Sequence, residues 1–413
     1  MLRAMVDQIL IVGAGQAAVQ AIDTLRRKGF KGALTMVGAE PHLPYQRPPL
    51  SKKYLSGALE HDRLLIRPAH FYAEHGVQTH LGRRVDLIDR ERRKVRLDDG
   101  SVLGYDALLL ATGSKPRHAT VPGAHLSGVY YLRNIADVER IRPDLAPGRR
   151  MVIVGGGYIG LEVAATAREL GLEVTVLEMA DRLMNRVTCT DVSTFYEAEH
   201  TRHGVRVVCN ATVEAFHGGG GGSNDRVRAV ECGDGSEYPA DLVIVGIGVV
   251  PEDELARACG LECQNGVVVD QHCRTADPHI FAAGDCTSHP SIHYGRHFRL
   301  ESVDNAFEQG TSAALNMLGT PTPHDKVPWF WSDQYDLKMI IVGISTGYET
   351  VVMRGSATAR SFSACYLYQG ELIAVDTVNN PKDQMAARKL VAARARPDLA
   401  KLADSAVPLK DCL

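Results

Sequence analysis

Two glycine-rich segments of the sequence have the residue types and spacing that bind a phosphate-bearing ligand. Gly13 and Gly15 follow the apolar residues 9–12, and a second segment at 155–160 follows the apolar residues 151–154. A pyrophosphate needs backbone N–H groups that approach it closely and the positive end of a helix, and glycine permits both because it has no side chain. The sequence therefore predicts two dinucleotide sites. The residues assigned to them are Gly13, Gly15, Gln16, Ala17, Gly155, Gly157, Tyr158, Ile159 and Gly160.

Strands and helices must position these glycines, and the surrounding pattern predicts them. Residues 9–12 and 33–37 are predicted strands on either side of a helix, and residues 151–154 and 173–178 repeat that order. Strand, glycine turn, helix and strand form a βαβ dinucleotide-binding unit. One such match is weak evidence, because glycine turns before helices are common. Two framed matches predict two nucleotide-binding units in one chain.

Two further apolar strands indicate a duplicated architecture. Residues 107–113 follow the first unit and residues 242–248 follow the second at a similar position. Between the two units, residues 95–100 form a hairpin signal that ends in Asp-Asp-Gly. The expected fold is α/β, with two Rossmann-like domains.

An acidic residue ends the second unit and bears on the choice of nucleotide. Glu178 stands where a carboxylate accepts hydrogen bonds from the ribose hydroxyls of an adenosine. No arginine follows it immediately, so we expect NADH to be preferred over NADPH. In the first unit the comparable position is Gly38, and Glu40 is slightly displaced, so Glu40 is either a ribose ligand or a solvated loop residue.

Composition and charge limit the classes of function. The hydrophobic fraction of 45% and the charged fraction of 23% are near globular averages, and 413 residues suggest two or three domains. The formal charge of −3 gives no reason to expect nucleic acid as a partner. No apolar run is long enough for a bilayer, and the N-terminus leaves no room for a cleavable signal before the first strand. A cytoplasmic protein that does not bind membranes is expected.

The cysteines and the C-terminal region complete this description. Nine cysteines include no CxxC pair and no metal-ligand spacing, so we expect reduced thiols and no metal. The glycine run at 217–222 lies between predicted strands and is interpreted as a hairpin tip. Beyond the prolines of residues 321–323, strands at 338–342 and 361–368 and a helix at 383–393 predict a third, smaller α+β domain.

A further segment, Phe-Ala-Ala-Gly-Asp-Cys at 281–286, completes a specific set of motifs with the Ala-Thr-Gly turn at 111–113 and the two dinucleotide units. This set resembles the two-dinucleotide-binding flavoproteins of the glutathione reductase type. The resemblance implies FAD in the first unit and NADH in the second, with Asp285 at the flavin's ribityl and phosphate region. It implies an FAD domain at 1–114 and 247–322, a NAD domain at 115–246 and a C-terminal domain at 323–413.

The segment at 43–55 decides between branches of this family. Dithiol members have a CxxxxC pair here and peroxidase members a single cysteine, whereas this chain has no cysteine before Cys189. What remains resembles the bacterial ferredoxin reductases of Rieske oxygenases and cytochromes P450, of the putidaredoxin reductase type. Glu-Ser-Val-Asp-Asn-Ala at 301–306 and Pro-Trp-Phe-Trp-Ser-Asp at 328–333 support that resemblance.

The ferredoxin reductase resemblance implies roles for individual residues. Around FAD it places Arg47, Lys52, Val85, Ala111, Thr112, Gly113, Arg133, Asp285, Glu301, Val303 and Trp331. Around NADH it places Glu162, Glu178, Arg186, Gly246 and Gly248, together with the second glycine segment. We expect Lys52 and Glu162 to form a buried ion pair that tunes the flavin, and Trp331 to cover its isoalloxazine ring.

The resemblance also implies a reaction and a partner. Hydride would pass from NADH to the flavin, and single electrons would then pass to a [2Fe-2S] ferredoxin docked transiently on a basic rim. Arg296, Arg299 and Lys338 are the candidates for that rim, and a monomer or weak homodimer is expected.

Two other activities remain open at the level of sequence. A monodehydroascorbate reductase would share the Pro-Tyr-x-Arg-Pro segment at 44–48 and lack a dithiol. A flavoprotein of the apoptosis-inducing-factor type would act as an interaction or stability protein and bind DNA through a basic surface. The near-neutral charge and the lack of a targeting segment oppose this second alternative.

Overall fold

The computed structural model describes residues 6–219 and 225–413, which form two compact units. The first unit contains the residues up to Gln46, His61–Lys115 and Val250–Lys326. The second contains Arg47–Glu60, Pro116–Val249 and Val327–Leu413. The domain boundaries expected from the sequence stay a prediction, because these units follow the chain differently and join the C-terminal region to the second nucleotide-binding sheet.

A five-stranded parallel sheet forms the centre of the first unit. In spatial order its strands are Ile280–Ala282, Ala107–Leu110, Gln8–Val12, Ala33–Gly38 and Val77–Leu81. Strands Ile280–Ala282, Ala107–Leu110 and Gln8–Val12 are near-continuous apolar runs, as expected where both faces of a parallel sheet are buried, whereas the edge strand Val77–Leu81 is largely polar. Burial of each large aliphatic side chain contributes about 1.5–3 kcal/mol to folding. The predicted first βαβ unit is confirmed.

Helices and small antiparallel sheets surround this parallel sheet. Helix Gln16–Arg27 packs against helix Val303–Met317, and the contact is close because an added Cβ on Gly310 would lie 2.6 Å from the Ala17 carbonyl oxygen. The predicted hairpin is confirmed in the sheet of Val85–Asp89, Lys94–Leu97 and Val102–Gly104. The other elements are helices Ala69–Glu74 and Glu254–Ala258 and strands Val267–Val268, Thr287–Ser291 and Arg296–Phe298.

The second unit repeats the arrangement with another parallel sheet. Its strands in spatial order are Arg206–Val208, Glu173–Leu177, Arg150–Val154, Leu242–Val245 and Val129–Tyr130. Its helices are Ile135–Ile141, Tyr158–Glu169 and Thr190–Arg202. Strands Val213–Gly218 and Val227–Cys232 pair antiparallel and confirm the hairpin, with Glu237–Pro239 as third strand. Of its predicted glycine tip, residues 220–222 lie outside the described residues.

The C-terminal region adds an antiparallel sheet to the second unit. The order is Trp329–Gln334, Leu337–Gly343, Glu371–Val378, Ser361–Tyr368 and Thr350–Ser356, followed by helices Pro381–Ala392 and Leu399–Ala403. Side chains alternate along its edge strand Trp329–Gln334. Trp331 packs with the apolar core under the C-terminal helices, whereas Phe330 contacts Tyr158 on the opposite face.

No helix among residues 6–219 and 225–413 is both long enough and apolar enough to cross a membrane.

Candidate functional site

The carboxyl ends of the first unit's strands bring together three of the residues predicted to hold FAD. Gly13 follows the central strand, and Thr112 follows the strand beside it. Asp285 follows the edge strand Ile280–Ala282. Ligands of open α/β sheets bind at this edge, so the sheet topology alone places three predicted residues of distant sequence position at one location.

Gly13 and Gly15 leave the space that a pyrophosphate requires. Gly13 has φ of +120°, and a Cβ there would lie 2.0 Å from the Ala111 carbonyl oxygen, so only glycine fits this turn. Gly15 is the N-cap of helix Gln16–Arg27, and a Cβ there would meet nothing within 4 Å. The open space at the N-terminus of a buried helix, with Gln16 and Ala17 in its first turn, fits a phosphate group.

The Ala111-Thr112-Gly113 turn is held by contacts within the first unit. The Thr112 hydroxyl donates to the Glu252 carbonyl oxygen at 2.6 Å, and Gly113 adopts a φ of +77°. The Ser114 hydroxyl donates to Asp285 Oδ2 at 3.0 Å. These bonds fix the turn and orient the Asp285 carboxylate at the same sheet edge.

The end of the second strand explains why an acidic residue is missing there. A Cβ on Gly38 would lie 2.6 Å from the Cβ of Ala14, so a larger side chain does not fit. Glu40 lies in the following loop and accepts a 2.5 Å hydrogen bond from the Tyr45 hydroxyl. The structure therefore places Glu40 close to the sheet edge, where its proposed ribose contact stays a prediction.

Three other residues assigned to FAD lie on separate elements of the first unit. Val85 begins an antiparallel strand, and Val303 begins helix Val303–Met317, whose N-cap Ser302 accepts from the Asn305 N–H at 3.0 Å. Glu301 is exposed and pairs with Arg299 at 2.5 Å. Arg299, expected on the docking rim, has a side chain only 11% exposed. It therefore holds Glu301 and is a poor candidate for docking.

The second unit has the corresponding glycine turn at its own sheet edge. Gly155 has φ of +110°, and a Cβ there would lie 2.4 Å from the Gly246 carbonyl oxygen. A Cβ on Gly160 would lie 2.2 Å from the Gly155 carbonyl oxygen, so this helix position also requires glycine. Gly157 caps helix Tyr158–Glu169 and, like Gly15, would direct a Cβ into open space. The turn fits a second pyrophosphate.

Glu178 is fixed beside this turn. Its Oε2 accepts from the Gly156 N–H at 2.6 Å, and its Oε1 accepts from the Ala180 N–H at 2.8 Å. Arg186 is exposed, and its Nη2 lies 3.8 Å from the position of a Cβ on Gly248. The structure thus brings Glu178, Arg186 and the Gly246–Gly248 turn to one sheet edge of the second unit.

Two residues at the start of the nucleotide helix differ in exposure. Ile159 is 49% exposed, which leaves an apolar side chain at the mouth of the turn. The hydroxyl of Tyr158 is buried and accepts or donates no hydrogen bond within the described part of the chain. Its ring packs edge-on against Phe330 at 4.9 Å. The ring therefore points into the unit, and a cofactor contact would come from the main chain of this residue.

Lys52 and Glu162 form the expected buried ion pair. Lys52 Nζ lies 2.6 Å from Glu162 Oε2, with the side chains 18% and 6% exposed. Glu162 also accepts from the Ser51 hydroxyl at 2.5 Å and from the Ser332 hydroxyl at 2.7 Å. A buried carboxylate needs such hydrogen bonds as well as an opposite charge. Ser51 and Ser332 were missed by sequence reasoning, although Ser51 adjoins Lys52 and Ser332 lies within the Trp-Phe-Trp-Ser-Asp motif.

Prolines determine how Lys52 is presented. Pro48 and Pro49 begin a short 3₁₀ helix, Pro48–Ser51, for which their fixed φ is suited. Lys52 lies immediately after this helix at φ −130°, and its Nζ also donates to the Pro48 carbonyl oxygen at 3.1 Å. Arg47, just before the prolines, donates to the Arg133 carbonyl oxygen at 2.8 Å.

Trp331 is not brought together with Lys52 and Glu162. It neighbours Trp329, with ring centroids 5.6 Å apart, and packs against the C-terminal core. Ser332, the next residue, faces Glu162 instead. Strand alternation separates these two side chains, and the proposed contact of Trp331 with a flavin ring stays a prediction.

Cys286, which adjoins Asp285, is the cysteine nearest in sequence to a predicted cofactor residue. It is fully buried, and burial raises the pKa of its thiol. Its Sγ donates to the Leu110 carbonyl oxygen at 3.6 Å. A buried thiol with a raised pKa is a poor nucleophile and redox group.

The two parts of the chain match two family models. Residues 7–310 match the family described as pyridine nucleotide-disulphide oxidoreductase, and residues 329–413 match the one described as reductase C-terminal.

Relatives match nearly the full length of the chain. The 5,5'-dehydrodivanillate O-demethylase ferredoxin reductase subunit of Sphingobium sp. is 42% identical over 403 residues, which are 97% of either chain. Putidaredoxin reductase of Pseudomonas putida is 41% identical over 410 residues, which are 98% of this chain and 97% of that one. A crystal structure of the covalent putidaredoxin reductase–putidaredoxin complex gives a TM-score of 0.94 at 41% identity and covers 98% of both chains.

Proposed function

This chain belongs to the pyridine nucleotide-disulphide oxidoreductase family and, within it, to the ferredoxin reductases, and from that membership we propose that it transfers electrons from NADH through FAD to a [2Fe-2S] ferredoxin of an oxygenase system. The resemblance found in the sequence motifs is confirmed, as are the α/β fold, the oxidoreductase class and the use of FAD with a pyridine nucleotide. Its choice of NADH, its individual ferredoxin and a cytoplasmic location are proposals.

One observation carries the assignment of the reaction. Glu162, on the helix of the second glycine turn, pairs with Lys52 in a chain whose first cysteine is Cys189. Bound FAD would supply the chemistry, because a flavin accepts electrons in pairs and releases them one at a time. The protein therefore needs no thiol relay. It has to bind two dinucleotides, orient them and hold a charge pair in a dry environment.

The residues of the chain have separate tasks in this proposal. Gly13 and Gly15 admit the FAD pyrophosphate, and Asp285 and Thr112 line the same sheet edge. The corresponding glycines of the second unit admit the NADH pyrophosphate. Glu162 keeps the ammonium of Lys52 in a fixed position, where it would raise the electron affinity of the flavin. These two groups tune the reaction and carry no proton in hydride transfer.

The carboxylate of Glu178 supports NADH as the donor. Two backbone N–H groups hold it at the strand end. There it can accept hydrogen bonds from ribose hydroxyls, and it would repel the extra phosphate of NADPH.

The ferredoxin is supported as acceptor by the similarity to reductases that are named for such partners. One of the similar solved structures contains putidaredoxin reductase in a covalent complex with putidaredoxin. We propose that this chain docks an acidic [2Fe-2S] protein transiently, as a monomer or weak homodimer.

NADH-driven reduction of cytochrome c, with and without a [2Fe-2S] ferredoxin, tests the proposal. We expect a high rate only when ferredoxin is present. Lys52→Met should slow this reduction, whereas Lys53→Met, which changes the exposed neighbouring lysine, should not. Equal rates with and without any ferredoxin, alongside fast reduction of a small organic radical, would favour the monodehydroascorbate reductase alternative.

A further inference from the structure

A continuous series of hydrogen bonds leads from Glu162 across the second unit to Tyr335. The Ser332 hydroxyl donates to Glu162 Oε1 at 2.7 Å, and Gln334 Nε2 donates to the Ser332 hydroxyl at 3.2 Å. His200 Nε2 lies 2.8 Å from Gln334 Oε1, and the Tyr335 hydroxyl lies 3.2 Å from His200 Nδ1. Ser332, Gln334 and His200 are at most 1% exposed. We call these four residues, Ser332, Gln334, His200 and Tyr335, the donor chain.

The orientation of the Gln334 amide sets the direction of every bond in the donor chain. An amide nitrogen only donates, so Gln334 leaves the single hydroxyl proton of Ser332 for Glu162. The amide oxygen of Gln334 only accepts, so the proton of His200 is on Nε2 and Nδ1 accepts from Tyr335. Burial lowers the pKa of His200 to about 4, which keeps the ring neutral with one proton at pH 7. All donors therefore point towards Glu162.

We propose that His200 is a positioning residue for the Lys52–Glu162 pair, because its Nε2–H sets the orientation of the Gln334 amide and thereby commits the Ser332 hydroxyl to Glu162. If Gln334 inverted, its oxygen would face Ser332 and compete with Glu162 for the hydroxyl proton. His200 opposes that inversion, since it offers a donor where an inverted amide would place its NH₂ group. The importance of this inference for catalysis rests on the proposed function, but the hydrogen-bond arrangement does not.

The size of the effect is limited by the other donors to Glu162. Ser51 and Lys52 remain bonded to Oε2 whatever the orientation of Gln334. Only the bond to Oε1 depends on the donor chain. Loss of His200 should therefore weaken the hydrogen bonding of the Glu162 carboxylate in the same direction as loss of the Ser332 hydroxyl. The effect should be no larger than the effect of losing that hydroxyl.

The test compares four variants of the holoenzyme by infrared spectroscopy. Subtracting the spectrum of Glu162→Gln isolates the carboxylate stretch of Glu162, whose position depends on the hydrogen bonds that the group accepts. Ser332→Ala gives the position when the Oε1 bond is lost. We expect His200→Phe to move the band most of the way to the Ser332→Ala position. His200→Gln, whose amide N–H can replace Nε2–H, should return it to the wild-type position.

His203→Phe is the matched control for the test of His200. His203 belongs to the same helix end, and its ring stacks on Tyr335 at 3.7 Å, but its Nδ1 contacts the Glu199 carbonyl oxygen and not the donor chain. This variant should leave the Glu162 band unmoved. Equal band shifts in His200→Phe and His203→Phe, or no shift in either, would overturn the proposal.

A second measurement needs no substitution and covers the case in which His200→Phe fails to fold. Nitrogen NMR of ¹⁵N-histidine-labelled holoenzyme at pH 7 should show His200 protonated on Nε2 and unprotonated on Nδ1. The opposite tautomer would overturn the proposal, because Gln334 would then be inverted. NADH-driven ferredoxin reduction is measured in parallel. A moved Glu162 band with unchanged turnover would retain the positioning role and contradict the proposed catalytic role of the pair.

Discussion

At the scale of single residues, Glu162 holds a charge that the interior of the protein would otherwise exclude. Glu162→Gln would leave the ammonium of Lys52, 18% exposed, without its carboxylate partner. Removal of one member of a buried pair is destabilising by about 3–5 kcal/mol, and we expect about 2 kcal/mol here because Lys52 is partly solvated. The measurement is the urea midpoint of the holoenzyme. Lys53→Met, an exposed neighbour, should change it little, and an equal effect of both variants would contradict the argument.

Glu178 contributes a negative charge at the second sheet edge, and we expect this charge to cause the preference for NADH over NADPH. Wild type should use NADH roughly a hundredfold more efficiently than NADPH, since a 2′-phosphate would approach the carboxylate. Glu178→Gln removes the charge and keeps one acceptor oxygen for the Gly156 N–H, at the loss of the bond from the Ala180 N–H, so the ratio of kcat/KM for the two nucleotides should fall below about tenfold. Glu178→Arg should narrow or reverse it. Ferricyanide is the acceptor, so no ferredoxin is required. An unchanged ratio in Glu178→Gln would exclude charge as the cause.

Asp376 links pH to stability in the C-terminal sheet. It is fully buried, burial raises its pKa to about 7, and its Oδ2 accepts from the Tyr366 hydroxyl at 2.5 Å. The folded state thus keeps a proton that the unfolded chain loses near pH 4. Between these values stability should fall by about 1.4 kcal/mol per pH unit as pH rises. Asp376→Asn should abolish this contribution to the pH dependence of stability. The measurement is the change in melting temperature between pH 5 and pH 7, which should be smaller in the variant than in wild type.

At the scale of elements, the strands and glycine turns were predictable because local pattern alone determines them. Apolar runs of four or five residues followed by glycines at 13 and 155 specify a strand, a turn of positive φ and a helix start. Lys52 and Glu162 were paired from the resemblance. Their serine partners were not found, because which face of the strand Trp329–Gln334 meets Glu162 depends on tertiary packing. A sequence shows that Trp331 and Ser332 alternate, but not which of them faces inward.

We expect the contact of helices Gln16–Arg27 and Val303–Met317 to affect how firmly FAD is held. Gly310→Ala would place a methyl group 2.6 Å from the Ala17 carbonyl oxygen, within the first turn of the pyrophosphate helix. Overpacking of this kind costs about 1–3 kcal/mol. We expect flavin fluorescence, which reports FAD release, to rise at a lower temperature than in wild type. Phe307→Ala changes an exposed residue of the same helix and should release FAD at the wild-type temperature.

At the scale of the whole molecule, the formal charge of −3 opposes a general attraction to an acidic ferredoxin. Docking must therefore depend on local basic groups, whose effect is mainly on the association rate and is screened by salt. Arg299 pairs with Glu301 and is largely buried, which leaves the exposed Arg296 and Lys338 as separate candidates.

Charge reversal tests these two candidates one at a time. Arg296→Glu and Lys338→Glu should each lower ferredoxin-dependent cytochrome c reduction several-fold at low salt, because each replaces an attraction by a repulsion. The difference in rate from wild type should shrink as ionic strength rises past physiological levels. Ferricyanide reduction needs no protein interface and should stay near the wild-type rate. Arg299→Glu should behave differently, since it places a second carboxylate beside Glu301 and should weaken FAD retention rather than ferredoxin affinity alone. If neither Arg296→Glu nor Lys338→Glu changes the apparent ferredoxin affinity at low salt, docking uses another surface of the chain.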